Sequence, residues 1–320
     1  MAAPKRGHLG CSIIGHACDR YIWLTFRWAV PDNFDGRILR LFDTGKREEP
    51  RVYEELRAIG VELHTEQAGQ QIEVRDESGH YGGSVDGVGL GFPEAPKTWA
   101  VLEIKTGNTK SFKHMKDNGV KASKPQHYAQ MQAYMGMLKL DRAMYIFVCK
   151  ETDELWTEWV HKDKEAVALL SARATQTISA TAPPARISED PSNWQCKMCS
   201  AYKFCHQGQT AENNCRTCCH ASPRQGGTWH CELFGNDLSM VEQQLGCDRH
   251  LYIPNLIPSA TAIDGGEAHI TYQDNATGAV FTDGGGKSPK PRRRKMWQPP
   301  EQGPIIDPKT DPALNDDITF

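Results

Sequence analysis

The sequence predicts a mixed α+β fold (α/β in the broad sense), a mixed central sheet flanked by helices, followed by a small cysteine-rich metal module and a disordered tail. Three observations carry this prediction. Helical and extended segments alternate up to about residue 181, eight of the 11 cysteines fall between Cys196 and Cys247, and beyond Asp283 the Gly, Pro and charge content leaves too few apolar residues for a core.

Taken in order, a helix is predicted over 47–59, where Val52, Leu56 and Ile59 mark one face and Gly60 stops the run. Extended segments follow at 61–65, 71–75, 81–88 and 99–105, separated by Gly, Asp, Ser and Pro, in the manner of a meander. Pro125 opens an amphipathic helix that runs to about Leu138. Strands over 143–149 and 155–160 come next, then a helix over 163–179. The turn-rich stretch after Thr181 ends the element pattern. The expected division is a catalytic domain over 1–208, a zinc-binding-like module over 209–258, a β-hairpin within 259–283 turning at 275–278, and a basic then acidic disordered tail over 284–320.

A chain of 320 residues can bury one good core with length left for a small module. The mean hydropathy of −0.57 and the lack of a long apolar run exclude a membrane-spanning helix. The N-terminal stretch is interrupted by His16, Asp19 and Arg20 and does not read as a secretory signal, so a cytoplasmic location is expected, that of a host cell if the chain is phage-encoded. A net charge of −3 argues against a uniformly basic polyanion binder. The average hides two basic stretches: six lysines against one acid over 105–124, and six basic residues in the nine positions 287–295. In a reducing compartment, clustered cysteines with CxxC spacing read as metal ligands rather than disulfides.

The chemistry is concentrated in two neighbouring extended segments. HYGGSVDGVGL carries Asp86, and WAVLEIKTGN carries Glu103 and Lys105, which strand alternation puts on one face with Leu102 and Ile104 on the other. If the strands pair, two carboxylates and the Ile104 carbonyl form an oxygen-rich half-shell suited to Mg2+ or Mn2+. Lys105 then orients or helps deprotonate an attacking water and offsets charge on the phosphate. Downstream, in PQHYAQMQAYM, Gln126, Gln130 and Tyr134 recur at i, i+4 and i+8 on one helix face, presenting donors suited to nucleotide or phosphate contacts. Tyr128, Met131 and Met135 supply that helix with its apolar positions.

Asp86, then Glu103-Ile104-Lys105, then Gln130-Met131-Gln132-Ala133-Tyr134 resembles the D, ExK and QxxxY pattern of the RecB-type, lambda-exonuclease-like branch of the PD-(D/E)XK (restriction-endonuclease-like) nucleases, over roughly residues 10–208. The resemblance implies a restriction-endonuclease-like fold, a Mg2+- or Mn2+-dependent deoxyribonuclease, and Asp86, Glu103, Lys105, Gln130 and Tyr134 as site residues. GKREEPRVYEEL resembles the first motif of phage exonucleases, which implies Glu49 as a further metal ligand, with Glu48 as competitor. His80, six residues before Asp86, is read as a phosphate contact or a surface-turn histidine. One cysteine before the catalytic core and three after it resemble the iron–sulfur staple of AddB and CRISPR-associated nucleases, implying a 4Fe-4S cluster on Cys18, Cys196, Cys199 and Cys205. Zinc at the same thiols, with His206 replacing one sulfur, is the alternative, and Cys11 is the alternative to Cys18.

The second cysteine group has the two-pair look of a small zinc module, with Cys215, Cys218, Cys231 and Cys247 as ligands and His250 as substitute. In the tail, Lys287, Lys290, Arg292, Arg293, Arg294 and Lys295 suit a DNA backbone, and Trp297 offers a stacking surface. The tip NDDITF resembles the acidic end of bacterial single-stranded-DNA-binding proteins, with Thr319 in place of proline. That implies docking through Asp316, Asp317, Ile318 and Phe320 to a host protein that binds such tails. The expected function is an exonuclease acting from duplex ends in phage recombination or DNA metabolism, with a single-strand annealing protein as partner. The alternatives are a non-catalytic DNA-binding adaptor on the same fold and a structure-selective endonuclease.

Overall fold

The computed structural model describes residues 5–31 and 34–284; the tail residues Lys287 to Lys295, Trp297 and the 315–320 tip lie outside the described residues. The expected mixed α+β architecture is the one the chain adopts. In chain order the first half comprises β1 (Leu9–Gly10), α1 (Asp19–Phe26), α2 (Gly36–Ala58), β2 (Glu62–His64), β3 (Glu73–Arg75), β4 (Tyr81–Ser84), β5 (Gly87–Leu90) and β6 (Ala100–Gly107). Then come α3 (Thr109–Ser123), α4 (Pro125–Leu138), β7 (Arg142–Cys149), β8 (Leu155–His161) and α5 (Lys164–Ser179).

The central sheet has the order β8-β7-β6-β5-β2. Its one parallel pair is β6 with β7, where Glu103 stands opposite Tyr145; the other pairs are antiparallel. A parallel pair needs a crossover, and α3 with α4 provides it. Residues alternate between two apolar layers as a doubly covered sheet requires. Ala100, Leu102 and Ile104 pack with Val52 and Leu56 of α2, whereas Val101, Tyr145 and Phe147 pack with Met131 and Met135 of α4.

Three expectations are corrected. The predicted 81–88 strand is two strands: β4 joins β1 and β3 in a small separate sheet, β5 joins the central one, and Asp86 lies in the break. The helix expected at 47–59 begins at Gly36, capped by Asp35 accepting from the Ile38 N–H, and continues through Pro50. A hairpin expected near the end is a three-stranded antiparallel sheet over Ala260–Gly266, His269–Asp274 and Val280–Gly284. Helix α3, rich in lysine and bent at Gly119 (φ 73°), had no counterpart in the sequence reading.

The cysteine-rich segment forms the antiparallel ribbon β9 (Ala221–Arg224), β10 (Thr228–Cys231) and β11 (Asn236–Leu238), followed by a short helix, Met240–Leu245. It shares the main core with Val101, Tyr145 and Phe147 through Trp229, which is fully buried. The Arg216 guanidinium donates to the Phe26 carbonyl at 3.1 Å and the Gly7 carbonyl at 2.9 Å, and Arg27 donates to the Ala221 carbonyl at 3.3 Å. At the same seam the backbones of Gly79 and Gly227 touch, and a Cβ on Gly79 would sit 2.5 Å from the Gly227 nitrogen.

Candidate active site and cysteine cavities

The break between β4 and β5 leaves Asp86 free to reach sideways, and its Oδ2 accepts from the Ile104 N–H at 2.7 Å. Glu103 and Lys105 share a face of β6, as alternation requires. Glu103 is fully buried; its Oε1 contacts the Lys105 ammonium and its Oε2 has no hydrogen-bond partner among the described residues. Lys105 Nζ also donates to the Ile104 carbonyl at 3.1 Å and stands 3.7 Å from Asp86 Oδ2.

The electrostatics follow from this crowding. Burial pushes the Glu103 carboxyl above its ordinary range, opposed by Lys105 and reinforced by Asp86. For Lys105, burial disfavours the charge, but Glu103 and Asp86 outweigh it and the net direction is up. Glu49 comes from α2: burial raises its carboxyl to about 7, Asp86 adds to the rise, and Lys105 and Lys46 oppose it. Glu48 instead pairs with Arg51 at 3.0 Å. Tyr53, four residues after Glu49 and therefore on the same helical face, has its phenol pushed up by burial and then by Asp86 and Glu49. The Glu49–Tyr53 spacing was the available signal for it, and sequence reasoning missed it.

An unpartnered buried carboxylate oxygen among three acids and one lysine fits a hard divalent cation better than an apolar packing role. Among the described residues, no three His, Cys, Asp or Glu side chains stand in ready ligand geometry. The Lys105 ammonium itself lies between Glu103, Asp86 and the Ile104 carbonyl.

Helix α4 contributes differently from the expectation of donors facing an open cleft. Tyr134 is buried and its hydroxyl donates to the Ser84 carbonyl at 2.7 Å, at the end of β4, while Gln130 Nε2 donates to that hydroxyl at 3.4 Å. The approach needs Gly83, where a Cβ would lie 2.7 Å from the Tyr134 hydroxyl. Tyr134 thus fixes the strand end that leads into Asp86. Tyr134→Phe leaves the Ser84 carbonyl without this donor and is expected to cost about 1–3 kcal/mol, read as a lower Tm in thermal denaturation.

His80 is neither a phosphate contact nor a surface residue. It is 1% exposed, its Nε2 donates to the Arg224 carbonyl at 2.8 Å, and Phe26 and Trp229 pack edge-on against its ring. Its place is the seam where the cysteine ribbon packs on Phe26.

Cys18, Cys196, Cys199 and Cys205 line one cavity of about 520 Å³. Gln126 lines it too, away from the carboxylates, and so does His206. Cys11 is buried in the main core instead, which removes it as the alternative to Cys18. His127 also borders this cavity, and its Nδ1 hydrogen-bonds the hydroxyl of Tyr145, the residue opposite Glu103, at 2.8 Å. Burial, with Lys105 and Lys124, lowers the His127 pKa to about 3, so the ring is neutral. Cys215, Cys218, Cys231, Cys247 and His250 line a second, much smaller cavity of about 20 Å³.

No family model and no curated protein matches the chain. Among solved structures it is similar to an alkaline exonuclease from Laribacter hongkongensis at 15% identity, over 55% of this chain and 88% of that one, with a TM-score of 0.40. The same enzyme in complex with dAMP matches at 15% identity over 54% and 87%, with a TM-score of 0.41. A phage-related exonuclease from Haemophilus somnus 129PT matches at 13% identity over 53% and 91%, with a TM-score of 0.38.

Proposed function

We propose that the chain is a divalent-metal-dependent deoxyribonuclease that works as an exonuclease from duplex ends. The observation that supports it most is the cluster of Asp86, from the break between β4 and β5, with Glu103 and Lys105 of β6, around a buried carboxylate oxygen that has no partner among the described residues, with Glu49 of α2 near enough to feel the charges of Asp86 and Lys105. Asp86, Glu103, Glu49 and the Ile104 carbonyl would hold Mg2+ or Mn2+. Such an ion supplies a Lewis acid for the phosphate and lowers the pKa of water. The ammonium of Lys105 orients the attacking water and offsets the charge that grows on the phosphate oxygens. Tyr134 and Gln130 keep the β4 end, and with it Asp86, in register. Exposed Lys110, Lys113 and Lys116 of α3, which directly follows β6, give a polyanionic backbone a path away from the site.

Digestion of end-labelled linear duplex with and without Mg2+ tests the reading, with a covalently closed circle as the second substrate. Loss of the linear duplex alone, abolished by chelation, is the expected result. Cutting of the circle points to an endonuclease, and no metal-dependent loss of either substrate leaves a DNA-binding adaptor.

Metal affinity is expected to rise with pH up to about 7, because the Glu49 carboxyl, raised in the metal-free chain, must give up its proton to become an anionic ligand; titration of Mn2+ binding at several pH values checks it. Stability of the metal-free chain runs the opposite way. A carboxyl raised from 4.5 to about 7 on folding contributes stability that is full below 4.5 and is lost as pH rises through 7. In chelator, Tm is expected to fall between about pH 5 and about pH 8, and Glu49→Gln to flatten that fall.

The same reading assigns a 4Fe-4S cluster to Cys18, Cys196, Cys199 and Cys205, supported by their sharing one cavity large enough for a group of several atoms. Bound there, it would join the start of the chain to the end of the first domain. Brown protein with broad visible absorption after anaerobic purification is the expected result; colourless, zinc-loaded protein favours Zn2+ with His206. Among the described residues no helix is long and apolar enough to cross a membrane.

A further inference from the structure

We propose that the cysteine ribbon is a structural zinc site, one Zn2+ held by the thiolates of Cys215, Cys218, Cys231 and Cys247, independent of the nuclease chemistry and of the larger cysteine cavity. Four cysteines from three separate stretches of chain, and no acidic residue, line a space of about 20 Å³. That is room for a single atom, about the size of one water, and not for a cluster. The contrast with the 520 Å³ cavity around Cys196 separates the two sets by what each can hold.

The local backbone supports the sulfur positions. Cys215 opens a 3-10 turn capped by Asn214, and Cys218 ends it, accepting the Leu251 N–H at 3.4 Å on its sulfur. Cys231 ends β10 and its carbonyl accepts the Gly235 N–H at 2.8 Å, closing a tight turn behind it. The N–H donated to the Cys218 sulfur favours its thiolate, whereas Cys215 Sγ donates to the Glu242 carbonyl at 3.3 Å and must give up that bond to bind. Each ligand gives up its proton to solvent on binding, so the site loads with proton release and without redox change. The four sulfurs ring the cavity without meeting at one point, and closing them on an ion draws on rotation about the short cysteine side chain.

His250 borders the same cavity and is the competing ligand: its Nε2 donates to the Asn214 carbonyl at 3.1 Å beside Thr217 Oγ1 at 3.2 Å, and its Nδ1 has no partner among the described residues. Cys247 lines the cavity with the other three cysteines, and an all-thiolate set needs no further ligand. Cys219, next to Cys218, is exposed and does not border the cavity. The ribbon has a functional need for such a site. Its apolar anchor, Trp229, lies in the seam with the first domain, whereas the far turn carries Leu233 and Phe234 exposed. Metal binding would fix that outer end, which burial does not.

The test uses the full chain. Metal analysis of purified protein is expected to find about one zinc per chain, and Co2+ exchange to give the intense visible bands of tetrahedral thiolate coordination. Cys196→Ser and Cys219→Ser are expected to keep this zinc, and Cys231→Ser and Cys247→Ser to lose it. Because loss in a serine variant also follows from misfolding, Cys247→His is the second measurement: it should retain the ion and shift the Co2+ bands toward three sulfurs and one nitrogen. Protein without zinc and without Co2+ bands overturns the proposal. So does a zinc content, or Co2+ bands, unchanged from the parent in both Cys231→Ser and Cys247→Ser, or lost with His250→Ala while persisting in Cys247→Ser.

Discussion

Lys105→Ala is expected to lower metal-dependent DNA hydrolysis by roughly 10²–10³-fold, the range seen when one preorganised donor to a developing oxyanion is removed. The variant does more than lose a donor. Lys105 is the cation that touches Glu103 and lies 3.7 Å from Asp86, so its removal leaves two largely buried carboxylates facing each other. Their like-charge repulsion then has no internal counter-ion, and the proton that Glu103 already favours becomes harder to remove. The rate loss is therefore expected to be greatest near neutrality and smaller at alkaline pH. A pH–rate profile of Lys105→Ala against the parent, at saturating Mg2+, checks both the size and the direction. Unchanged hydrolysis at any pH would remove Lys105 from the proposed site.

Trp229→Ala is expected to be the most destabilising single truncation, costing about 3–5 kcal/mol as for other buried tryptophans. The ring is fully buried, with the Arg27 guanidinium 4.9 Å and the Arg216 guanidinium 4.8 Å from its centroid and Phe26 and His80 against it. Both arginines are buried among backbone carbonyls, and the indole face adds negative potential between two like charges, with Arg216 also 3.7 Å from the Trp28 ring centroid. Thermal denaturation should show a Tm lower by roughly 10 °C, at about 2–4 °C per kcal/mol for a chain of this size class. Leu169→Ala, on the exposed face of α5, is the contrasting control and should stay within about 0.5 kcal/mol of the parent. A Trp229→Ala protein as stable as the parent would mean that the ribbon does not depend on this seam.

The legible parts of the chain were those written in local periodicity. Alternation placed Glu103 and Lys105 together, and Pro125 marked the start of α4 to the residue. The 81–88 run misled because GGSVDG holds small residues that fit either a continuous strand or two, and only the partners of each half decide between them. The first turns of α2 carry Ile38, Leu41 and Phe42 at helical spacing, but Gly45 and Pro50 stand inside the helix and break up the pattern, and these apolar residues are not buried. Helix α3 hid for a similar reason, its three buried residues spread among lysines. His80 was misplaced because its partner, the Arg224 carbonyl, is 144 residues away and belongs to a different structural unit. Tyr134 was read as facing a cleft when its hydroxyl serves Ser84, 50 residues earlier, a distinction that helical spacing does not contain.

One ring answers to two neighbourhoods. His127 borders the space around Cys18 and Cys196 and also grips the hydroxyl of Tyr145, whose backbone lies directly across from Glu103. Oxidation, a reagent or loss of what the sulfurs hold would act in a space that this imidazole borders. The strand that carries Glu103 is thus reached from the cysteine cavity through His127 and Tyr145, and on the proposed nuclease reading damage at the sulfurs is expected to lower DNA cutting.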